Sequence, residues 1–272
     1  MKTGFSIKKI LRPLLFLASA LFWIGVWYIA AAIVGKAWVL PMPHAVLRAF
    51  FDSFAGGALP RYLLRTTLGI GAGYLAGVVI GFFLAAATAR VKPLHILFSP
   101  LLTVVRATPV ASFILLLWVV LARESVPAVS VALIVTPIVW GNCETGLLSA
   151  SKQLSELCAV YDLGFFRRAR FLLLPAVAPH FRSAAMTALG MAWKAGVAAE
   201  VLCTPDGTIG RMIWASKRDI ETAELFAWTL SVILVCFLLE KLLKLLFSLP
   251  EMKRKQKARP KRGTIKREEA AV

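Results

Sequence analysis

Residues 153–175 read QLSELCAVYDLGFFRRARFLLLP, and the reading of this stretch decides how the chain is organised. It is short, helical in spacing and mixed in polarity, and Arg167, Arg168 and Arg170 stand just before an apolar run resumes. Long uncharged blocks occur elsewhere in the chain, among them Pro13 to Gly35 and Thr66 to Ala89. A segment too polar to cross a bilayer, set between segments that do cross it, is a loop held at one membrane face.

Composition supports that frame. The 272 residues are 59% hydrophobic with a mean hydropathy of +0.75, which places the chain in the membrane class. The formal charge of +18 would point to nucleic acid in a soluble protein. In a membrane protein it reads as basic residues retained on the cytoplasmic side, so membrane lipid is a predicted partner and nucleic acid is not. Cys143, Cys158, Cys203 and Cys236 form no CxxC pair, and no histidine lies at ligand spacing from one of them. Neither a disulfide framework nor a metal site is predicted. No GxxxxGK(S/T), GxSxG, HExxH or paired-carboxylate constellation occurs, so the chain reads as no enzyme, with no cofactor, and its energy must come from a partner. His44, His95 and His180 read as satisfied or interfacial side chains.

The predicted fold class is all-α, a polytopic membrane protein with six transmembrane helices near 12–34, 62–89, 94–121, 125–147, 175–202 and 225–248. The first follows Lys2, Lys8, Lys9 and Arg12, and its uncharged run continues well past Ala18-Ser19-Ala20, so it reads as an uncleaved span. Between spans one and two, Val46 to Phe51 can form a short surface helix. In span two, Gly73, Gly77 and Gly81 share one face and let another backbone approach. Span three is interrupted by Pro100 and Pro109, span four contains Pro127 and Pro137, and residues 203–224 read as polar with a turn at Pro205-Asp206-Gly207. The chain divides into a cytoplasmic N-terminus (1–11), a transmembrane domain (12–250) and a basic tail (251–272) expected to be disordered and attached to anionic headgroups.

Six spans place both termini on one side. That side then carries 21 Lys and Arg, the other eight, with Arg106, Arg182 and Lys194 inside spans. The excess puts both termini and the stretch 153–175 in the cytoplasm of a cell-membrane protein, although the tail supplies eleven of the 21.

On these residues the stretch resembles the EAA loop of permeases from binding-protein-dependent ABC transporters, whose pattern is Glu-Ala-Ala, three residues, Gly, nine residues, Ile-x-Leu-Pro. Glu156 takes the Glu, Leu157 and Cys158 the alanines, and Leu172, Leu174 and Pro175 the closing residues. Asp162 occupies the Gly position, with Gly164 two residues on as its substitute at the turn. Val39-Leu40-Pro41-Met42-Pro43, Arg65-Thr66-Thr67-Leu68-Gly69, Arg106-Ala107-Thr108-Pro109, Ala188 to Trp193, Ala199-Glu200 and Gly207-Thr208-Ile209-Gly210 are similar to the nitrate/sulfonate/taurine branch. The resemblance implies a type I importer permease in which two permease subunits form the pathway, a homodimer being the expected case and two different permease chains the alternative. Two ABC ATPase subunits each receive one coupling helix, and an extracytoplasmic solute-binding protein delivers the solute. Within the coupling element, Leu154, Leu157 and Val160–Tyr161 recur at helical spacing suited to an apolar groove, and Glu156 to a basic group or a helix end. Cys158, Tyr161, Asp162, Gly164 and Pro175 complete that set.

Charges inside spans are expensive when they face lipid, roughly 2.5–3.5 kcal/mol each on insertion scales. Arg106 lies about 21 Å along an ideal helix from Lys92. Arg106, Lys194 and Glu200, with Pro109 and Trp193 beside them, are therefore the candidates for lining the pathway; pairing within one subunit is the alternative. Two basic groups suit an anionic solute. The competing class is a self-contained secondary transporter, which calls for internal repeats, and no convincing repeat relates residues 1–125 to 126–248.

Overall fold

In lipid a backbone without water must satisfy its own polar groups, and a helix does so within one segment. The computed structural model describes residues 4–150, 156, 158, 160–161 and 164–257, and all regular structure among them is helical. The elements are α1 (Gly4–Val34), α2 (Pro43–Ala55), α3 (Ala58–Thr88), α4 (Lys92–Ala107), α5 (Val110–Val120), α6 (Val126–Leu148), α7 (Phe165–Arg168), a π-helical segment (Ala169–Leu173), α8 (Leu174–Cys203), α9 (Ile209–Arg218) and α10 (Thr222–Lys257). Three helices, α1 over Leu17–Val34, α3 and α6, are long and apolar enough to cross a membrane, and the bent pair α4 and α5 makes a fourth if it is one span. With 30 and 36 residues, α8 and α10 also have the length.

Four boundaries differ from the sequence reading, each for a physical reason. The helix expected over 94–121 is two helices. Thr108 and Pro109 are extended, with ψ of 131° and 127°, because proline has no N–H and disfavours helical geometry in the residue before it. Pro100 stays inside α4 without ending it. The first helix begins at Gly4 and the last runs to Lys257, into the segment assigned to the tail, because Lys8, Lys9, Arg12 and Lys253 to Lys255 end an apolar span without ending a helix. The rest of the tail, 258–272, lies outside the described residues. The fourth difference is α9, which stands in the segment read as merely polar.

The helices contribute to two compact units. The first comprises the chain up to Gly71, Pro109–Ser130 and Gly196–Leu234. In it, Ile114, Val126, Ala199 and Cys203 form one buried cluster with Leu117 and Leu121 against it. Leu59, Ile209 and Trp228 form another, flanked by Tyr62, Met212 and Ile213. Ile209, Met212 and Ile213 recur at one-turn spacing, and that apolar face is what folds α9.

The second unit comprises Ala72–Thr108, Val131–Ala195 and the chain from Val235. Its centre is the α3–α6 contact. Val131, Val135, Val139 and Cys143 repeat every four residues along α6, all fully buried. They meet the glycine face of α3: a Cβ on Gly77 would lie 2.7 Å from the Ala132 carbonyl oxygen, and one on Gly81 would lie 2.6 Å from that of Thr136. This is the close backbone approach expected of the Gly73, Gly77, Gly81 series. Polar groups here are paired. Trp140 Nε1 donates to Thr88 Oγ1 at 2.9 Å, and Tyr74 Oη donates to the Ala185 carbonyl at 3.0 Å.

Candidate functional site

The stretch 153–175 is helical at Glu156, Cys158 and Val160, and again from Phe165 onward. Leu154, Leu157 and Asp162 lie outside the described residues. Cys158 is buried, whereas Glu156, Val160, Tyr161 and Phe166 are exposed. The element therefore turns one side inward and leaves an acid and three large apolar side chains outward. Gly164 precedes α7, and its carbonyl accepts from the Arg168 amide at 3.1 Å. Positive φ occurs at Gly35, Gly57 and Gly207 among the described glycines, and a Cβ on Gly164 would meet nothing within 4 Å. No steric demand for glycine acts at this position.

The π-helical segment has its cause in Pro175. A proline there removes the amide that would bond to Phe171 and presses its ring on that carbonyl. One wider turn relieves this, and the Leu174 amide donates to Ala169 instead. Leu172 is buried at this turn and anchors it.

Arg106 stands in the last turn of α4, donates through Nη2 to the Pro137 carbonyl and lies over the Trp140 ring, 5.8 Å from its centroid. A Cβ on Gly141 would meet Arg106 Nη2 at 2.5 Å, so the glycine makes room for the guanidinium. Pro109 is exposed and starts α5. Trp193 is buried and Lys194 exposed on α8. Among the described residues no carboxylate forms an ion pair with Lys194.

Glu200 is 2% exposed, and its surroundings are closed. Its Oε2 accepts from Thr66 Oγ1 at 2.9 Å and from the Gly210 amide at 3.2 Å. Thr66 Oγ1 also accepts from the Ile209 amide at 3.0 Å, and Thr208 Oγ1 accepts from the Arg211 amide at 3.4 Å. The first three amides of α9 are donors that a helix cannot satisfy itself. Here three side chains from different parts of the first unit satisfy them, and the carboxylate also meets the positive end of the helix dipole. Gly210 is required, since a Cβ there would collide with the Glu200 Cβ and lie 2.6 Å from its carbonyl carbon. The turn before α9 is tied down from outside: Asp206 accepts from Arg123 Nη2 at 2.8 Å and pairs with Arg211, while Arg65 packs against Gly207. Next to it, Arg123 donates to Glu124 and holds that carboxyl below its usual range.

One polar pair was missed in the sequence. Glu144 is 6% exposed on α6, with His95 Nδ1 2.9 Å from its Oε1, and the His95 ring lies tilted against Trp140 at 5.8 Å. The signal was a carboxylate inside an uncharged span, and His95 is the satisfied side chain that the sequence reading expected.

Apolar helices of spanning length, with Arg106 and Glu200 met by backbone, hydroxyl and aromatic partners, define a multi-pass membrane protein. The family described as binding-protein-dependent transport system inner membrane component matches residues 77–249, and the chain belongs to that family. It is 24% identical over 226 residues to the putative aliphatic sulfonates transport permease protein SsuC of Bacillus subtilis, covering 82% of this chain and 81% of that protein. It is 26% identical over 254 residues to the nitrate import permease protein NrtB of Synechocystis sp., covering 89% of each. Among solved structures, an amino acid ABC transporter determined with histidines shares the fold, with a TM-score of 0.57 at 14% identity, covering 75% of this chain and 96% of that one.

Proposed function

We propose that this chain is the membrane-spanning permease subunit of an ATP-driven importer for a small solute of the nitrate, sulfonate or taurine kind, one that carries an anionic group. Two copies form the pathway through six spans each, both termini are cytoplasmic, and the element 153–175 docks on a separate ATPase. A solute-binding protein delivers the solute at the other face. The observation that carries this reading is the family match over 77–249, which contains the whole coupling element up to Pro175. The exposed Glu156, Val160 and Tyr161 supply the acid and the apolar knobs such docking needs. The relatives' names support the solute class. Lys194, exposed on a spanning helix, and Arg106 are the groups we assign to the pathway; Pro109 and Trp193 shape it, and Glu200 holds its wall.

The test is reconstitution with an ATPase subunit and a binding protein from the same genome, measuring nitrate or sulfonate uptake and solute-stimulated ATP hydrolysis. Both activities are expected, and Glu156→Lys is expected to reduce stimulated hydrolysis while membrane insertion is kept. Normal transport by that variant in complex with the ATPase removes the coupling role of Glu156. Anion uptake unchanged in Lys194→Gln removes Lys194 from the pathway. Ion-driven uptake by the purified chain alone, with no ATPase, overturns the reading in favour of a secondary transporter.

A further inference from the structure

The first unit holds a half-open hollow of about 670 Å³ between α1, α2 and the first turns of α10, and the surface it exposes is almost wholly apolar. Two ring contacts set the spacing of its walls. Trp27 of α1 lies against Phe226 of α10, with centroids 5.7 Å apart. Tyr28 stacks on His44 of α2 at 6.0 Å, with its Oη 3.3 Å from His44 Nδ1. Thr222 Oγ1 donates to the Trp38 carbonyl at 2.6 Å and ties the start of α10 to the loop after α1. From there α10 runs back along α1, so the hollow is graded along its length. Tyr28 and His44 line the end near that loop, and Ile24 and Ile233 line the end toward the middle of the span. From Phe226 to Ile233 the wall runs about 10 Å.

We infer that this hollow is a binding site for one acyl chain of a membrane phospholipid. Its open side continues into surface that the bilayer of a multi-pass protein covers. Within the span Leu17–Val34 of α1, only Ala31 is buried. On α2, Leu47, Phe51 and Phe54 form an exposed stripe at spacings of four and three, the pattern of a helix lying in the membrane interface. Leu47 belongs to that stripe and also to the wall of the hollow, so one lipid layer borders both. Left empty, a space of this size forfeits the dispersion contacts of the side chains around it. Water finds too few polar partners on so apolar a wall. A hydrocarbon chain restores the contacts, and the volume lies within the range of small-molecule pockets, about 300–1,000 Å³. The grading from an apolar depth to the Tyr28–His44 rim is that of an amphiphile, whose polar end emerges beside the loop. The inference goes beyond the transport reading and does not depend on the solute.

The full-length chain would be reconstituted in phosphatidylcholine that carries a photoactivatable diazirine near the end of one acyl chain. It would then be extracted and washed in detergent, so that loosely held lipid leaves. Native mass spectrometry counts the phospholipid retained, and irradiation followed by peptide mapping locates it. Wild type is expected to retain about one phospholipid per chain, with label at Ile24 and Ile233 and little at Phe22, which is exposed outside the hollow. Thr229 also lines the hollow, and Thr229→Phe fills it. That variant is expected to bind phospholipid about tenfold more weakly, the loss for about two displaced methylenes. Leu68→Phe, at an exposed position of α3 outside the hollow, is expected to bind as wild type does. No retained phospholipid, label as strong at Phe22 as at Ile24, or equal binding by Thr229→Phe overturns the inference. So does a Thr229→Phe chain that changes from dimer to monomer with its lipid count unchanged, since the hollow is then a contact between copies. The labelling map of wild type needs no variant, so it decides the matter even if Thr229→Phe does not fold.

Discussion

Glu200 and Arg106 are both charges set in apolar helices, and their surroundings treat them in opposite ways. Glu200 is almost wholly buried, and one of its oxygens serves both a threonine hydroxyl and a helix-start amide. Arg106 remains exposed, with one carbonyl and one aromatic face as partners. A buried carboxylate must be satisfied on the spot, since the penalty for leaving it unpaired exceeds what any single bond returns. An exposed guanidinium keeps donors in reserve, because five N–H groups are more than one carbonyl can use. The comparison separates a charge whose bonds the fold uses up from one whose donors it does not.

The two sites each contain a glycine pressed against the charge, and that pair offers the sharpest way to break the comparison. In Gly210→Ala the new methyl meets the Glu200 main chain, 2.6 Å from its carbonyl carbon, and main chain inside a helix does not step aside. We expect a loss of about 3 kcal/mol, the upper end of overpacking, read as a lowered melting temperature in detergent. A melt equal to wild type would mean that α9 is not held by this contact. Next in size is Glu200→Ala, which strands Thr66 and the Gly210 amide and should destabilise by about 2 kcal/mol, whereas Glu200→Gln keeps an accepting oxygen and should lose about half of that. If the two variants melt alike, the bonds are not what Glu200 contributes.

Gly141→Ala is the contrasting case and the third in size. Its methyl meets only the tip of the Arg106 side chain, which is free to swing away, so stability should fall by about 0.5 kcal/mol or less. Anion uptake in the reconstituted transporter is the more sensitive readout, since displacing the guanidinium leaves a charge in a new place. A stability loss as large as that of Gly210→Ala would show that Arg106 is architectural after all, and the distinction between the two charges would fail.

The sequence made one half of this contrast legible. Uncharged runs locate helices because lipid allows few alternatives, and Arg106 and Lys194 stood out against such runs. The Gly77 and Gly81 spacing likewise announced the α3–α6 approach that the structure contains. What Glu200 does was hidden, since its partner Thr66 is 134 positions away and only folding brings them together. The start of α9 carried a local signal that was overlooked: Thr208 as cap, then Ile209, Met212 and Ile213 at helical spacing after a Pro-Asp-Gly turn. The ends of α1 and α10 lie beyond the expected spans, since membrane span and helix are different things. A basic residue stops the first and not the second.

The smallest effect belongs to the loop cluster outside the spans. Arg123 bridges Glu124 and Asp206, each at 2.8 Å, and Arg211 joins at Asp206, with all these side chains about half exposed. Exposed ion pairs contribute little, so Arg123→Ala should lower the melting temperature by less than any variant above. Its pH dependence has a definite sign. The Glu124 carboxyl is held below its ordinary value by the hydrogen bond from Arg123, so this contribution is present above the unfolded value of about 4.3 and disappears as pH falls through the lower folded one. The difference between wild type and Arg123→Ala should therefore persist at pH 7 and close on approach to pH 3. Raising salt at neutral pH from 0.1 M to 1 M shortens the screening length from about 10 Å to about 3 Å and should narrow the difference without acid. A difference that survives both treatments would show that Arg123 acts through packing rather than charge, and the turn before α9 would then owe its position to the Glu200 and Thr66 side alone.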